Sequence, residues 1–272
     1  MRAEATMSVL NDTPGLLDAL RGEMTPKFLA TRSADGAPNV VPCITLLPAE
    51  DAPDTLTFGN FLLRKSIKNL EQDRRVGILV ITTALQGWIL TGDFLEFQRS
   101  GPYVDRQMSS SLLRYNAYTG IRNAGVIRVR SVEATFGIPR LEVMWDFALA
   151  RLSAIRGWGS GDEGVPVPLP VRREFAKMAA VKVLAWVGPT GYPVVVPAIS
   201  MQPSGNTGLV CWNGAPELPR PPPGALVATN ILTLDAVSYQ AKGTWSASGP
   251  SGAIRVREIY AGGPPLPGGR IA

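Results

Sequence analysis

The clearest pattern of apolar and polar positions along the chain occurs twice. Residues 27–48 read KFLATRSADGAPNVVPCITLLP, and residues 182–203 read KVLAWVGPTGYPVVVPAISMQP. The segments align without a gap, and 10 of the 22 aligned residues are identical. Each consists of an apolar run, a turn containing glycine, and a second apolar run, which predicts a β-hairpin.

The repeat continues beyond this hairpin. Residues 55–60 (TLTFGN) lie opposite residues 208–213 (GLVCWN), and residues 125–130 (GVIRVR) match residues 252–257 (GAIRVR). The alternation of aliphatic residues and arginine in the last pair is typical of a half-buried strand. Three matches in the same order predict an internal duplication.

The duplication gives a predicted domain organisation. The first copy occupies residues 1–140, and an insertion at about residues 100–123 has no counterpart in the second copy. Residues 141–179 are expected to form connecting helices and a linker, because residues 141–155 carry apolar side chains at helical spacing. The second, degenerate copy occupies residues 180–272. The predicted fold class is mainly β with a few helices (α+β).

Composition limits the chemistry. Hydrophobic residues make up 45% of the chain and charged residues 18%, which is typical of globular proteins. The longest apolar runs are shorter than a membrane span, and the first residues lack a signal-peptide core, so we expect a cytoplasmic protein with no membrane partner. The chain has no histidine, which excludes imidazole catalysis and imidazole metal ligands. With two widely separated cysteines, Cys43 and Cys211, no metal site is expected.

The basic residues favour a small anionic ligand. The net charge of +5 is modest, and the basic residues are too dispersed for a nucleic-acid track. One group stands out, Arg64-Lys65-Ser66, at the predicted start of a helix. Free N–H groups and the helix dipole favour an anion there, while arginine, lysine and serine side chains add donors. These residues predict a phosphate site.

The order of these motifs resembles the pyridoxamine 5'-phosphate oxidase-like FMN-binding split-barrel superfamily. The resemblance rests on the hairpin with Asp35-Gly36, a strand ending in Phe58-Gly59-Asn60, Arg64-Lys65-Ser66 at a helix start, and a strand containing Gly87-Trp88. It covers the first copy and, more faintly, the second. It implies two tandem split β-barrel repeats.

The resemblance also implies site residues. Arg64, Lys65 and Ser66 match the positions that contact the FMN phosphate. Val41, Pro42 and Cys43 match the strand along the isoalloxazine ring, and Phe58, Gly59 and Asn60 match the strand that flanks the ring and ribityl chain. Ordinary barrel core is an alternative reading for Val41, Pro42 and Phe58.

Family members usually form homodimers with FMN in the interface, so the two copies are expected to pack as an intrachain pseudo-dimer, either monomeric or as a further homodimer. The second copy has Glu217-Leu218-Pro219 opposite the basic group. The sequence therefore predicts one FMN per chain. The second copy can supply the far wall of the site, with Trp212, Tyr239 and Trp245 as candidates, although ordinary core is the favoured reading for each of the three.

The expected activity is that of an FMN-dependent oxidoreductase acting on a small acceptor, with a donor such as NAD(P)H. Without histidine, a true pyridoxamine phosphate oxidase is not expected. No catalytic side chain stands out. A non-catalytic flavin-binding module, or a related barrel that binds deazaflavin or haem, are the alternatives.

Overall fold

The computed structural model describes residues 8–61, 63–109, 121–159, 163–262 and 268–272. The middle of the predicted insertion, residues 110–120, lies outside this range. Within the described chain, no helix has both the length and the apolar character to cross a membrane.

The first half forms one antiparallel sheet of seven strands, ordered β2-β1-β5-β6-β7-β4-β3. Its strands are β1 (Lys27–Arg32), β2 (Pro38–Pro42), β3 (Leu47–Pro48), β4 (Thr55–Gly59), β5 (Arg75–Ile81), β6 (Gln86–Gln98) and β7 (Ala124–Gly137). Gly36, in the first hairpin turn, has a φ of 82°, a conformation that glycine adopts without strain.

The second half repeats this sheet, in the order β9-β8-β12-β13-β14-β11-β10. Its strands are β8 (Val181–Val187), β9 (Pro193–Pro197), β10 (Gln202–Ser204), β11 (Gly208–Trp212), β12 (Leu226–Leu232), β13 (Ser238–Ser248) and β14 (Ser251–Ala261). Each strand takes the place of its counterpart in the first half. The predicted mainly β fold with two tandem repeats is confirmed.

In the described residues, the helices are α1 (Leu16–Arg21), α2 (Arg64–Gln72), α3 (Pro102–Met108), α4 (Arg140–Ile155) and α5 (Leu169–Phe175). Helix α2 joins β4 to β5, whereas the corresponding connection in the second half runs through a proline-rich segment without a helix. Helix α3 begins the predicted insertion, and the corresponding strands β13 and β14 are joined by a tight turn.

Two fully buried lysines occupy equivalent places in the two halves, near the start of the first strand of each sheet. Lys27 Nζ donates to the carbonyls of Gly22 and Ile44, at 2.9 and 3.4 Å. Its counterpart Lys182 donates to residues at the same two sequence separations, Lys177 and Ile199, at 2.6 and 3.1 Å. Because Gly22 follows α1 and Lys177 follows α5, the two helices are equivalent. The structural repeat therefore reaches back into the segment that the sequence assigned to the linker.

The two halves share one apolar core. Buried side chains of the first half, including Phe28, Leu79 and Ile89, pack in the same cluster as those of the second half. The halves approach closely at Gly77, where an added Cβ would collide with the carbonyl oxygen of Pro193. The halves thus pack as the expected intrachain pseudo-dimer.

Candidate functional site

A cavity of about 220 Å³ lies between the two halves. Strand β2, the segment after it and the start of α2 form one side, and strands β12, β13 and β14 form the other. Its lining residues are Asn39, Val41, Pro42, Cys43, Ile44, Thr45, Gly59, Phe61, Leu63, Arg64, Lys65, Ser66, Asn230, Leu232, Ala236, Ser238, Gln240, Tyr260, Ala261, Gly262 and Gly268.

The start of α2 brings cationic and hydrogen-bonding groups to this cavity. The helix begins at Arg64, and Leu63 before it provides no side-chain cap for the free backbone N–H groups. These N–H groups and the positive end of the helix dipole favour an anion. Arg64 is exposed, Lys65 is half-buried and Ser66 is fully buried. All three residues line the cavity, where their guanidinium, ammonium and hydroxyl groups could bind a phosphate.

A buried pair of polar side chains supports this helix start. Asn39 Nδ2 donates to Ser66 Oγ at 3.1 Å, and both residues are buried. Because Ser66 Oγ accepts this bond, its hydroxyl hydrogen can be donated to another acceptor. Asn39 Oδ1 is buried and has no hydrogen-bond partner among the described residues. A buried polar atom without a partner at a cavity is a group that a ligand can satisfy.

The second half contributes an aromatic and charged group beside Lys65. Lys65 Nζ lies 3.3 Å from the ring centroid of Tyr260, a cation–π contact. The Tyr260 hydroxyl donates to Glu258 at 2.6 Å, and burial raises the pKa of Tyr260. Burial also lowers the pKa of Lys65, and it lowers the pKa of the nearby Lys242 to about 8. An anion placed here would gain from two poorly solvated ammonium groups.

An apolar wall faces the cavity from the first half. Val41, Pro42 and Cys43 run along it where β2 ends. Cys43 is buried, and burial raises the pKa of its thiol to about 12. The thiol is therefore neutral at physiological pH and acts as an apolar surface.

The opposing wall is polar and comes from the second half. Asn230 Nδ2 and Gln240 Nε2 both donate to the carbonyl of Val40, at 3.3 and 2.5 Å. This carbonyl belongs to the edge strand β2. Strand pairing makes Asn230 the counterpart of Leu79, and Gln240 the counterpart of Ile89. The same two positions are thus polar at this cavity and apolar in the shared core.

Seven of the nine sequence-predicted residues line the cavity: Val41, Pro42, Cys43, Gly59, Arg64, Lys65 and Ser66. Phe58 does not, because its neighbour Gly59 takes the cavity-facing position and alternation turns Phe58 into the core against Phe97. Asn60 also lies outside the lining, and its backbone N–H donates to the carbonyl of Asn123.

The three aromatic candidates for the far wall, Trp212, Tyr239 and Trp245, do not line the cavity. Tyr239 lies between Ser238 and Gln240 on β13, so its side chain points to the opposite face. Trp245 is buried in the core, and Trp212 lies on β11, away from this cavity. The sequence missed other lining residues, such as Asn230 and Tyr260, which lie singly within apolar strands. Only the pairing of the strands shows that their side chains reach this cavity.

The equivalent position in the second half is a groove of about 600 Å³ with different chemistry, lined in part by Ile89, Val194, Glu217, Leu218 and Pro219. Leu218, which lies opposite the basic group in the repeat, is buried together with Ala215 in the shared core. Leu79 and Ile89 belong to the same cluster, in the positions that Asn230 and Gln240 hold at the cavity. The helix start, the cationic side chains and the polar wall are therefore all replaced there.

No family model and no curated protein matches the chain. Among solved structures, the chain is similar to an FMN-binding protein from Syntrophomonas wolfei, with 17% identity, 48% of this chain and 88% of that chain covered, and a TM-score of 0.39. It is similar to an F420 reductase, with 19% identity, 46% and 98% coverage and a TM-score of 0.32. It is also similar to HutZ, the haem storage protein of Vibrio cholerae, with 14% identity, 48% and 95% coverage and a TM-score of 0.35.

Proposed function

We propose that this chain is a two-repeat member of the pyridoxamine 5'-phosphate oxidase-like split-barrel superfamily that binds one FMN between its halves and acts as a flavin-dependent oxidoreductase. The substrate is a small acceptor, and the electron donor is a reductant such as NAD(P)H. The observation that supports this proposal best is the asymmetry of the two equivalent positions. One has a cavity with a cationic helix start and two buried amides, and the other has Glu217-Leu218-Pro219 and the apolar pair Leu79 and Ile89 in their place.

The residues present fit an FMN. The phosphate would be held by Arg64, Lys65, Ser66 and the N–H groups at the start of α2. The neutral wall at Val41–Cys43 suits the ring, and the unpartnered Asn39 Oδ1 accepts from a ligand donor. Asn230 and Gln240 are occupied with the Val40 carbonyl, so they fix strand β2, which forms the ring wall.

FMN, when bound, supplies hydride and electron transfer. The protein's own contribution is to orient the cofactor by its phosphate, to exclude water through the packing of two halves, and to leave one face open to substrate. The described cavity lining holds no histidine and no free carboxylate, so proton movement would involve solvent or the substrate itself.

The other cofactors fit less well. Haem needs an axial ligand such as histidine, cysteine, methionine or tyrosine. The chain has no histidine, Cys43 is a neutral buried thiol, and the Tyr260 hydroxyl is bonded to Glu258. A deazaflavin would use the same wall and the same basic end, so the mass of the bound ligand distinguishes it. A non-catalytic flavin module would bind FMN without turnover.

The test is to purify the protein, record its absorbance, release the ligand and measure its mass and stoichiometry. We expect flavin absorbance, the mass of FMN and one ligand per chain. A colourless protein that fails to bind added FMN would refute the proposal, as would two flavins per chain. NADPH oxidation with a dye acceptor then distinguishes an enzyme from a binding module.

A further inference from the structure

Helix α4 exposes an apolar stripe. Leu141, Met144, Trp145, Leu152 and Ile155 are between 55% and 76% exposed, and Ala148 at the centre is also exposed. The spacing of these residues places them on one face of the helix. The opposite face carries the buried Ala150 and packs on β10 and β11. We call the six exposed residues the α4 stripe.

The stripe is a large apolar patch for a protein surface. A fully exposed side chain of these types presents roughly 100–200 Å², so the stripe offers roughly 500 Å² of apolar surface. Apolar patches of that size are often functional. Two such stripes facing each other would bury roughly 1,000 Å², about the minimum for a specific interface, before any flanking residue is counted.

The stripe is symmetric about its centre. Leu141 and Ile155 each lie seven residues from Ala148, and Met144 and Leu152 each lie four residues from it. In an antiparallel pair of α4 helices centred on Ala148, Leu141 of one copy therefore meets Ile155 of the other. Likewise, Met144 meets Leu152, and Trp145 packs beside Leu152 because Arg151, at the mirror position of Trp145, donates to Gln202 of its own chain. The small side chain of Ala148 lets the two helices approach at the crossing point.

We propose that the α4 stripe is the interface of a homodimer of this chain, formed by antiparallel packing of two α4 helices. A two-fold interface requires a surface that complements itself, which the symmetry about Ala148 provides. The antiparallel arrangement also opposes the two helix dipoles. This dimer is distinct from the intrachain pseudo-dimer and does not depend on the identity of the cofactor.

The first experiment measures mass by sedimentation equilibrium over a range of concentrations. We expect the wild-type protein to be a dimer, and Trp145→Glu to weaken the dimer at least about 100-fold because a carboxylate would be buried in an apolar interface. Leu234→Glu is the matched control, since Leu234 is 88% exposed on a different surface. It should leave the dimer unchanged. Circular dichroism and urea unfolding of all three proteins check that the variants are folded.

Cysteine cross-linking tests the direction of the helices. The natural Cys43 and Cys211 are buried and should not react. Ala148→Cys should form an intermolecular disulfide, and so should the double variant Leu141→Cys/Ile155→Cys, whereas Leu141→Cys alone should not. A monomeric wild-type protein, a dimer that survives Trp145→Glu, or cross-linking of Leu141→Cys alone would each overturn the proposal. Binding of lipid vesicles by a monomer would also overturn it.

Discussion

Replacing Lys65 with methionine separates phosphate recognition from ring binding. Methionine keeps an unbranched stem of similar length beside Tyr260 but removes the ammonium group that lies 3.3 Å from the ring centroid. If this ammonium binds the phosphate of FMN, its loss removes one charge-assisted hydrogen bond, worth about 1.5–3 kcal/mol. That range corresponds to about a 10- to 150-fold weaker Kd for FMN. Because Lys65 is half-buried, we expect a value near the lower end.

Riboflavin lacks the phosphate and should bind the variant and the wild-type protein equally. The assay is a titration of flavin fluorescence with both ligands, at low and high salt. Lys68→Met is the matched control, since Lys68 is an exposed lysine on the same helix. It should leave both affinities unchanged. An equal loss of FMN and riboflavin affinity, or an unchanged FMN affinity, would show that Lys65 does not recognise phosphate.

Three further predictions concern the packing of the two halves and the stability of the fold. Gly77→Ala should lower both the urea midpoint and the FMN affinity, because the new Cβ would push against the carbonyl of Pro193 and separate the two halves. Leu218→Ala should destabilise the protein by about 2–5 kcal/mol in urea unfolding without adding a second flavin site, as the cationic helix start would still be missing there. Burial lowers the pKa of Lys182 to about 7 and that of Lys27 to about 8. The unfolded chain therefore binds more protons, and the urea midpoint should rise from pH 7 to pH 9, with a smaller rise in Lys182→Met.

The sequence predicted the repeat and the cationic end of the cavity because both depend on local order. The matching hairpins fix identical strand pairing in each half, and Arg64-Lys65-Ser66 lies at a helix start that its neighbours determine. The orientation of single residues within a strand was harder. Phe58 and Gly59 are adjacent, and only the register of β4 against β7 decides which one faces the cavity.

The far wall could not be predicted from local order. Asn230 and Gln240 lie in the second half, about 190 and 200 residues from the Val40 carbonyl that they bond. Their role depends on how one sheet packs against the other. Polar residues in a buried strand were the available signal, since a buried amide needs a partner. The equivalence of α1 and α5 was likewise visible only through the matching contacts of Lys27 and Lys182.

Equivalent positions hold Leu79 and Ile89 in the first half and Asn230 and Gln240 in the second. This difference has a consequence for how such a site can evolve. In a homodimer, every substitution appears on both sides of the axis, so an amide introduced to serve one pocket also enters the other. Covalent linkage of the two copies removes that constraint. One end can then acquire specificity while the other acquires apolar packing, and the gain in binding at the first need not weaken the fold at the second.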